Sequence, residues 1–191
     1  MRSIVDECDR LNRYTTNLLE LSKLQAGVRP NAQVIDVGEL IGVAVQRVRP
    51  RAGKRTIRID VLHEPLLAMA DAALFEIALV NVLGNAITYS EDESIVLINA
   101  SGIGKEIAID VRDQGVGIPD ADLDQVFHRF HRVVRFEAKP KGSGLGLAIA
   151  KGFVEAFDGE IWAETPGIGS CGTLIAIRLP AADVALTVNA A

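Results

Sequence analysis

Three stretches of this chain interrupt an otherwise regular apolar pattern with residue types that can bind or react. LVNVLGNAITYS, residues 79–90, closes a long apolar run and carries Asn81 and Asn85, four positions apart. Residues at i and i+4 share a helix face, and Thr88 and Tyr89 continue that face at the next turn. Asparagine is a poor helix former, and a buried amide is costly unless hydrogen-bonded. The stripe therefore either satisfies neighbouring loops or serves a ligand. An amide oxygen is a neutral, hard donor suited to Mg²⁺, which keeps most of its waters and bridges to phosphate oxygens. On that reading Asn85 holds the metal, Asn81 positions the metal or a phosphate, and Tyr89 lies against a base.

DQGVGIP, residues 113–119, directly follows a strand pattern. Asp113 offers two acceptor oxygens, which suits an exocyclic amine such as that of adenine. Gly115 and Gly117 clear room for a flat ring, although a D-x-G-x-G segment alone is more often an ordinary glycine turn. GSGLGL, residues 142–147, directly precedes a helical pattern. Free N–H groups and the positive end of the helix dipole there suit a phosphate, and the same glycines suit a hinge. A Rossmann fingerprint is excluded, since no G-x-G-x-x-G follows a strand with an acidic residue ~20 positions on. A P-loop is excluded by the lack of G-x-x-x-x-G-K-[ST].

The elements that must position these stretches follow from periodicity. Residues 3–26 read as one helix, with Ile4, Leu11 and Leu18 recurring every seven and Tyr14 and Leu21 in a second row, ended by Gly27 and Pro30. Its apolar stripe needs a partner helix, in this chain or another. QVIDV, RTIRIDV (55–61) and LLAMA (66–70) are strand candidates, and residues 37–48 have helical spacing. Asp71 is a good N-cap for a helix from 72 to about 89. SIVLINASG and EIAIDVRD form a hairpin, DADLDQVFHRF reads as a short helix, 145–157 as a helix, and EIWAE with GTLIAIRLP as a final hairpin. Residues 131–144, polar, basic and containing Gly and Pro, form a loop of the length at which loops are usually functional. That segment is expected to be mobile without ligand. The fold class is α+β, with helices on one face of a mixed sheet.

Bulk composition narrows the function. The 191 residues carry a net charge of −5, which argues against a nucleic-acid partner. The two cysteines, Cys8 and Cys171, lie far apart without metal-ligand spacing and suit a reducing, cytoplasmic setting. No signal-peptide core is present at the N-terminus, and no apolar run approaches the ~20 residues of a membrane span, so no membrane segment is expected.

Taken together and in order, LVNVLGNAITYS, DQGVGIP, VFHRFHR and GSGLGLAIAK resemble the asparagine box, first glycine box, phenylalanine box and second glycine box of bacterial sensor histidine kinases. The resemblance covers about residues 66–180 and implies the Bergerat (GHKL) fold shared with gyrase and Hsp90: a two-layer α/β sandwich with a mixed, mostly antiparallel sheet. RLNRYTTNLLELSKLQAG resembles the second helix of the kinases' dimerisation and phosphoacceptor hairpin. The expected organisation is thus 1–29 as that helix, 30–182 as the ATP-binding catalytic domain and 183–191 as a tail. In detail the chain looks most like the osmosensitive potassium-channel sensor kinases.

Carried over by position, the resemblance implies ATP and Mg²⁺ as cofactors, with Asn81 and Asn85 as the catalytic pair and Asn85 as the metal ligand. It implies that Asp113 binds the adenine amine in a pocket shaped by Gly115, Gly117, Ile118 and Tyr89. Phe127 and Phe130 would anchor the lid, and Arg132, Lys139 and Lys141 would face the phosphates. Gly142, Ser143, Gly144, Leu145, Gly146 and Leu147 would form the hinge and phosphate turn. The implied partners are a response-regulator receiver domain, the kinase's own phosphoacceptor domain and a second copy in a homodimer.

Two departures matter. Many members carry Lys or Arg where this chain has Thr88, so a phosphate-facing cation is missing there. The phosphoacceptor histidine normally lies in a helical H-E-[LIF]-[RK]-T-P sequence, and none of the three histidines, His63, His128 and His131, has that context. The chain is expected to be the C-terminal part of a larger kinase, one that does not label itself alone. The competing functions are a GHKL-type ATPase and a non-catalytic nucleotide-sensing or protein-interaction module. ATPases of this fold place a glutamate where Asn81 stands, and asparagine is a poor general base.

Overall fold

A computed structural model describes residues 15–19, 21–23, 26–62, 65–133 and 143–182. Strand β1 (Gln33–Asp36) leads directly into helix α1 (Val37–Ala52), followed by β2 (Thr56–Leu62), β3 (Leu67–Ala70) and helix α2 (Ala72–Tyr89). The hairpin β4 (Ile95–Ile103) and β5 (Glu106–Arg112) comes next, then helix α3 (Gly146–Glu155) and the strands β6 (Glu160–Glu164) and β7 (Leu174–Pro180).

Five strands form one sheet in the order β2-β4-β5-β7-β6, and β1 pairs with β3 in a separate two-stranded ribbon. Within the large sheet only β2 and β4 run parallel, while β4–β5, β5–β7 and β7–β6 are antiparallel. This is the expected mixed, mostly antiparallel sheet. Side chains alternate across it: Val96, Ile98 and Ala100 of β4, Ile109 and Val111 of β5, and Ile177 and Leu179 of β7 are buried. The opposite face is mixed: Leu97, Ala108 and Ala176 lie there beside Asn99, Ser101, Asp110 and Arg178, and Asp110 accepts from Arg112 and Arg178, both at 3.1 Å. The guanidinium of Arg178 also lies 4.9 Å from the centre of the Trp162 ring. A period-two pattern puts the core on one face and leaves room for charge pairs on the other.

The helices cover the apolar face, with α2 packed between α1 and α3. Asp36 and Asp71 start α1 and α2: Asp36 Oδ1 accepts from the N–H groups of Gly38 and Glu39, and Asp71 Oδ1 from those of Ala73 and Leu74. Each satisfies donors that a helix start leaves open. By length and composition α2 could pass for a membrane span, but it is a core helix, and Phe75, Ala78, Leu79, Val82 and Leu83 are almost fully buried.

The structure revises two expectations. Helix α1 runs a turn past residue 48 and contains Pro50 in its last turn, closing at Gly53 with φ +60°. DADLDQVFHRF is not an α-helix but two 3₁₀ turns, Asp120–Asp122 and Gln125–Phe127. Aspartates compete for backbone hydrogen bonds and favour turns, and of this stretch only Phe127 is fully buried.

Toward the N-terminus, residues 15–19 and 21–23 are helical; residues 1–14 lie outside the described residues, as do His63 and 183–191. Leu21 is buried and Leu18 packs against the same core. The contact is made on α3, where a Cβ at Gly152 would stand 2.2 Å from Leu21 Cδ1. Gly152 is thus a notch that accepts the leucine. Glycine inside a helix costs ~1 kcal/mol relative to alanine, so Gly152→Ala should strengthen α3 itself. It should at the same time displace Leu21. Hydrogen exchange is therefore expected to show faster exchange over 15–23 in Gly152→Ala, with the melting temperature of the domain unchanged or raised.

Candidate functional site

The three interrupting stretches converge at one end of the helical layer. On α2 the Asn81 and Asn85 amides are both half-buried. Asn81 Nδ2 donates to the Ile77 carbonyl at 3.0 Å, which fixes the amide and turns its oxygen outward toward α3. That oxygen lies 3.3 Å from where a Cβ on Gly146 would stand. The Asn85 side chain has no hydrogen-bond partner among the described residues. Thr88 Oγ1 is folded back on its own helix, donating to the Gly84 carbonyl at 2.6 Å.

Asp113 follows β5 and is 5% exposed. Its Oδ1 accepts from the N–H of Gly115 at 2.7 Å and of Thr173 at 3.0 Å. Its Oδ2 has no partner among the described residues. Burial raises the carboxyl above its ordinary value of 3.8, against the opposing pull of the Gly115 and Thr173 N–H groups. An acceptor pair is therefore split, with one oxygen spent on the fold and one left over.

Glycine is required around this carboxylate. A Cβ on Gly115 would meet the Tyr89 carbonyl oxygen at 2.6 Å, so the turn after β5 is pressed against the end of α2. Gly172 has φ +81°, and a Cβ there would stand 1.9 Å from the Asp113 carbonyl oxygen. A Cβ on Gly167 would fall 2.5 Å from the Thr173 carbonyl oxygen and 2.6 Å from that of Asp113. Gly117 packs against Gly172 and Thr165, and Ile118 packs against the core. Gly167, Gly172 and Thr173 were not singled out from the sequence. The signal was the glycine-rich GIGSCGT between the last two strands, which reads as a plain hairpin connection.

The second glycine stretch behaves differently at its two ends. Lys139, Lys141 and Gly142 lie outside the described residues. Ser143 Oγ accepts from Leu145 N at 3.3 Å, Leu145 is buried, and Leu147 packs against the core. Gly144 has φ +68°, and its carbonyl accepts from Phe130 N at 2.8 Å. Helix α3 then opens without a side-chain cap, unlike α1 and α2. The two phenylalanines part company. Phe127 is buried, with Lys151 Nζ 5.6 Å from its ring centre, whereas Phe130 is 70% exposed and holds φ +64°. Of the two rings, only Phe127 packs into the core. Arg132 is exposed, and His131 Nε2 sits 3.0 Å from Asp122 Oδ1.

Comparison with known proteins bears on this arrangement. Residues 70–183 match the family described as histidine kinase-, DNA gyrase B-, and HSP90-like ATPase. The chain is 37% identical over 176 residues to the sensor-like histidine kinase SenX3 of Mycobacterium tuberculosis, covering 90% of this chain and 43% of SenX3. It is 35% identical over 177 residues to the sensor protein KdpD of the same species, covering 88% of this chain and 20% of KdpD. The chain thus spans less than half the length of these relatives. Among solved structures, the mycobacterial sensor histidine kinase MprB superposes with a TM-score of 0.71 at 31% identity, over 78% of this chain and 97% of that one. The matched segment holds all of α2, the Asp113 turn and the start of α3, and the chain belongs to the family of histidine kinase-, DNA gyrase B- and HSP90-like ATPases.

Proposed function

We propose that this chain is the ATP-binding catalytic portion of a sensor histidine kinase, which passes the γ-phosphoryl group of ATP to a histidine on another segment. The observation that carries this reading is the split carboxylate of Asp113: a buried side chain fixed through Oδ1, with Oδ2 left to a ligand. Oδ2 would accept from the adenine amine, and Gly115 and Gly117 would admit the ring beside Tyr89 and Ile118. The uncapped start of α3, with Ser143, Gly144, Leu145, Gly146 and Leu147, would meet the phosphates. Arg132 and the lysine at 141 would add charge from the lid.

The residues present fit Mg²⁺ as well. The Asn85 amide has no partner among the described residues, and no cluster of three or more acidic, histidine or cysteine side chains stands among them. A single amide oxygen suits an ion that keeps several waters and leans on phosphate oxygens. When bound, Mg²⁺ supplies neutralisation of phosphate charge. The chain's own contribution is positioning: Asn85 holds the metal side, Asn81 aligns the phosphate side, and no carboxylate at 81 activates water. Transfer to a histidine is favoured over hydrolysis for that reason. The same reading places the chain on the cytoplasmic side of a sensor, in a homodimer whose helical hairpin includes residues 1–29, with a response-regulator receiver domain taking the phosphoryl group onward.

Titration with ATP and GTP, each with and without Mg²⁺, is expected to show Mg²⁺-dependent binding that prefers adenine. Equal affinity for both bases would remove the role given to Asp113. Asp113→Asn should weaken ATP by about tenfold or more, because one acceptor becomes a donor facing a donor. The pH dependence has a definite sign. The carboxylate is the accepting form, so ATP affinity is full above the raised value of Asp113 and falls as pH drops through it, earlier than for an ordinary aspartate. For folding, the native state holds the Asp113 proton more firmly than the unfolded chain does. Its contribution to stability is present below 3.8 and is lost as pH rises through the raised native value, so Asp113→Asn should stabilise the ligand-free protein at neutral pH.

The activity prediction concerns the acceptor. The chain alone should bind ATP yet take no acid-labile label from γ-labelled ATP, and adding a phosphoacceptor helix with its histidine should restore labelling. Asn85→Ala should then abolish it. Labelling of His63, His128 or His131 in this chain alone would contradict the reading.

A further inference from the structure

Arg47 and Arg51 stand four apart on α1, on the row that faces α2. Arg47 Nε is paired with Glu76 Oε1 of α2. One turn on, Arg51 meets no acid among the described residues. Its guanidinium lies over Gly84, so that a Cβ there would stand 3.6 Å from Nη1, 3.7 Å from Nη2 and 4.0 Å from Cζ. Arg55, the next residue of the series, is already occupied: it donates to the carbonyls of Ala52 and Ser90 and pairs with Asp92. An exposed, uncompensated cation is thus laid on the backbone of the helix that carries the two asparagines.

The place matters as much as the charge. Gly84 immediately precedes Asn85, lies three residues after Asn81 and is four before Thr88, so the guanidinium lies against a residue that borders the asparagine stripe. Thr88 brings no charge to that border, and its hydroxyl is turned back to the Gly84 carbonyl. With no side chain at 84, no Cβ stands between the guanidinium and the backbone of α2 at that position. A guanidinium also matches phosphate oxygens with two donors at once.

We propose that Arg51 is a phosphate-facing residue of the nucleotide site, reaching from α1 across Gly84 to the terminal phosphates of ATP. The proposal rests on the ATP-binding reading above. Arg51 supplies, from a neighbouring helix, the cation that position 88 lacks. Its location in the last turn of α1 also favours that helix's dipole, but that effect acts on stability and is blind to the number of phosphates on a ligand.

The test compares ATP, ADP, AMP and adenosine binding to the full chain with Mg²⁺, for wild type, Arg51→Ala and Arg51→Ala/Thr88→Lys. Arg51→Ala should weaken ATP on the order of tenfold, ADP less, and leave AMP and adenosine unchanged. Thr88→Lys should restore most of the ATP affinity in the Arg51→Ala background, which a purely structural role for Arg51 would not allow. An equal loss for ATP and adenosine, or no loss for ATP, overturns the proposal while leaving ATP binding intact as a reading. Failure of the wild-type chain to bind ATP at all would instead overturn both.

Discussion

One oxygen of Asp113 accepts two backbone N–H groups, from Gly115 just beyond β5 and from Thr173 just before β7, the latter sixty positions from Asp113 itself. The Asp113 N–H in turn donates to the Thr173 carbonyl at 2.9 Å. The central pair of the sheet is thus closed at its end by a side chain rather than by further ladder. Everything nearby is built to that closure. The backbone must come so near that positions 115, 167 and 172 have no room for a Cβ, and the turn after β5 is pressed onto the last residue of α2. A buried carboxylate is costly, and two N–H donors on one oxygen offset only part of that cost, which is why the carboxyl remains harder to ionise than usual. The unspent oxygen is what that balance leaves over, and under the proposed function a ligand amine would complete it.

Helix α2 carries the second half of the arrangement, and its composition reflects its position between two other helices. The side toward the sheet is almost wholly apolar, the side toward α1 carries Glu76 for Arg47, and the side toward α3 carries the asparagines. A helix with neighbours on three sides keeps little solvent-facing surface, and its two asparagines are half-buried. The polar groups it keeps must therefore be matched by protein, as Asn81 and Thr88 are by their own helix, or by something else. Asn85 falls in the second group. This is the physical content of the stripe that the sequence displays as two amides in an apolar run.

The sequence showed most of this site because its signals are local. Asp71 marks the start of α2 to the residue, the glycine at 104 marks the β4–β5 hairpin, and the three interrupting stretches each announce themselves within a dozen residues. What it did not show depends on distance. Nothing near Thr173 says that its N–H will meet Asp113, and the glycines at 167 and 172 read as turn residues until the β5–β7 pairing brings them onto the carboxylate. Arg51 was invisible for the same reason, since its significance lies in a glycine thirty-three positions away. Local misreadings have local causes: Pro50 sits late enough in α1 that the helix survives it, and the aspartates around 120–124 spend the segment on turns rather than a helix.

The notch at Gly152 links positions that sequence separation would treat as independent. Leu21 fills a space that exists only because residue 152 lacks a side chain, so the volumes at 21 and 152 are tied to one another. Among related chains that keep this docking, a larger residue at 152 should accompany a smaller one at 21, and a leucine at 21 should accompany glycine. The same pairing bears on grafting. An N-terminal helix moved from one relative onto the catalytic portion of another would carry its own residue 21 into a foreign notch. The volume match at that one pair, more than the overall similarity of the two parents, would decide whether the graft seats.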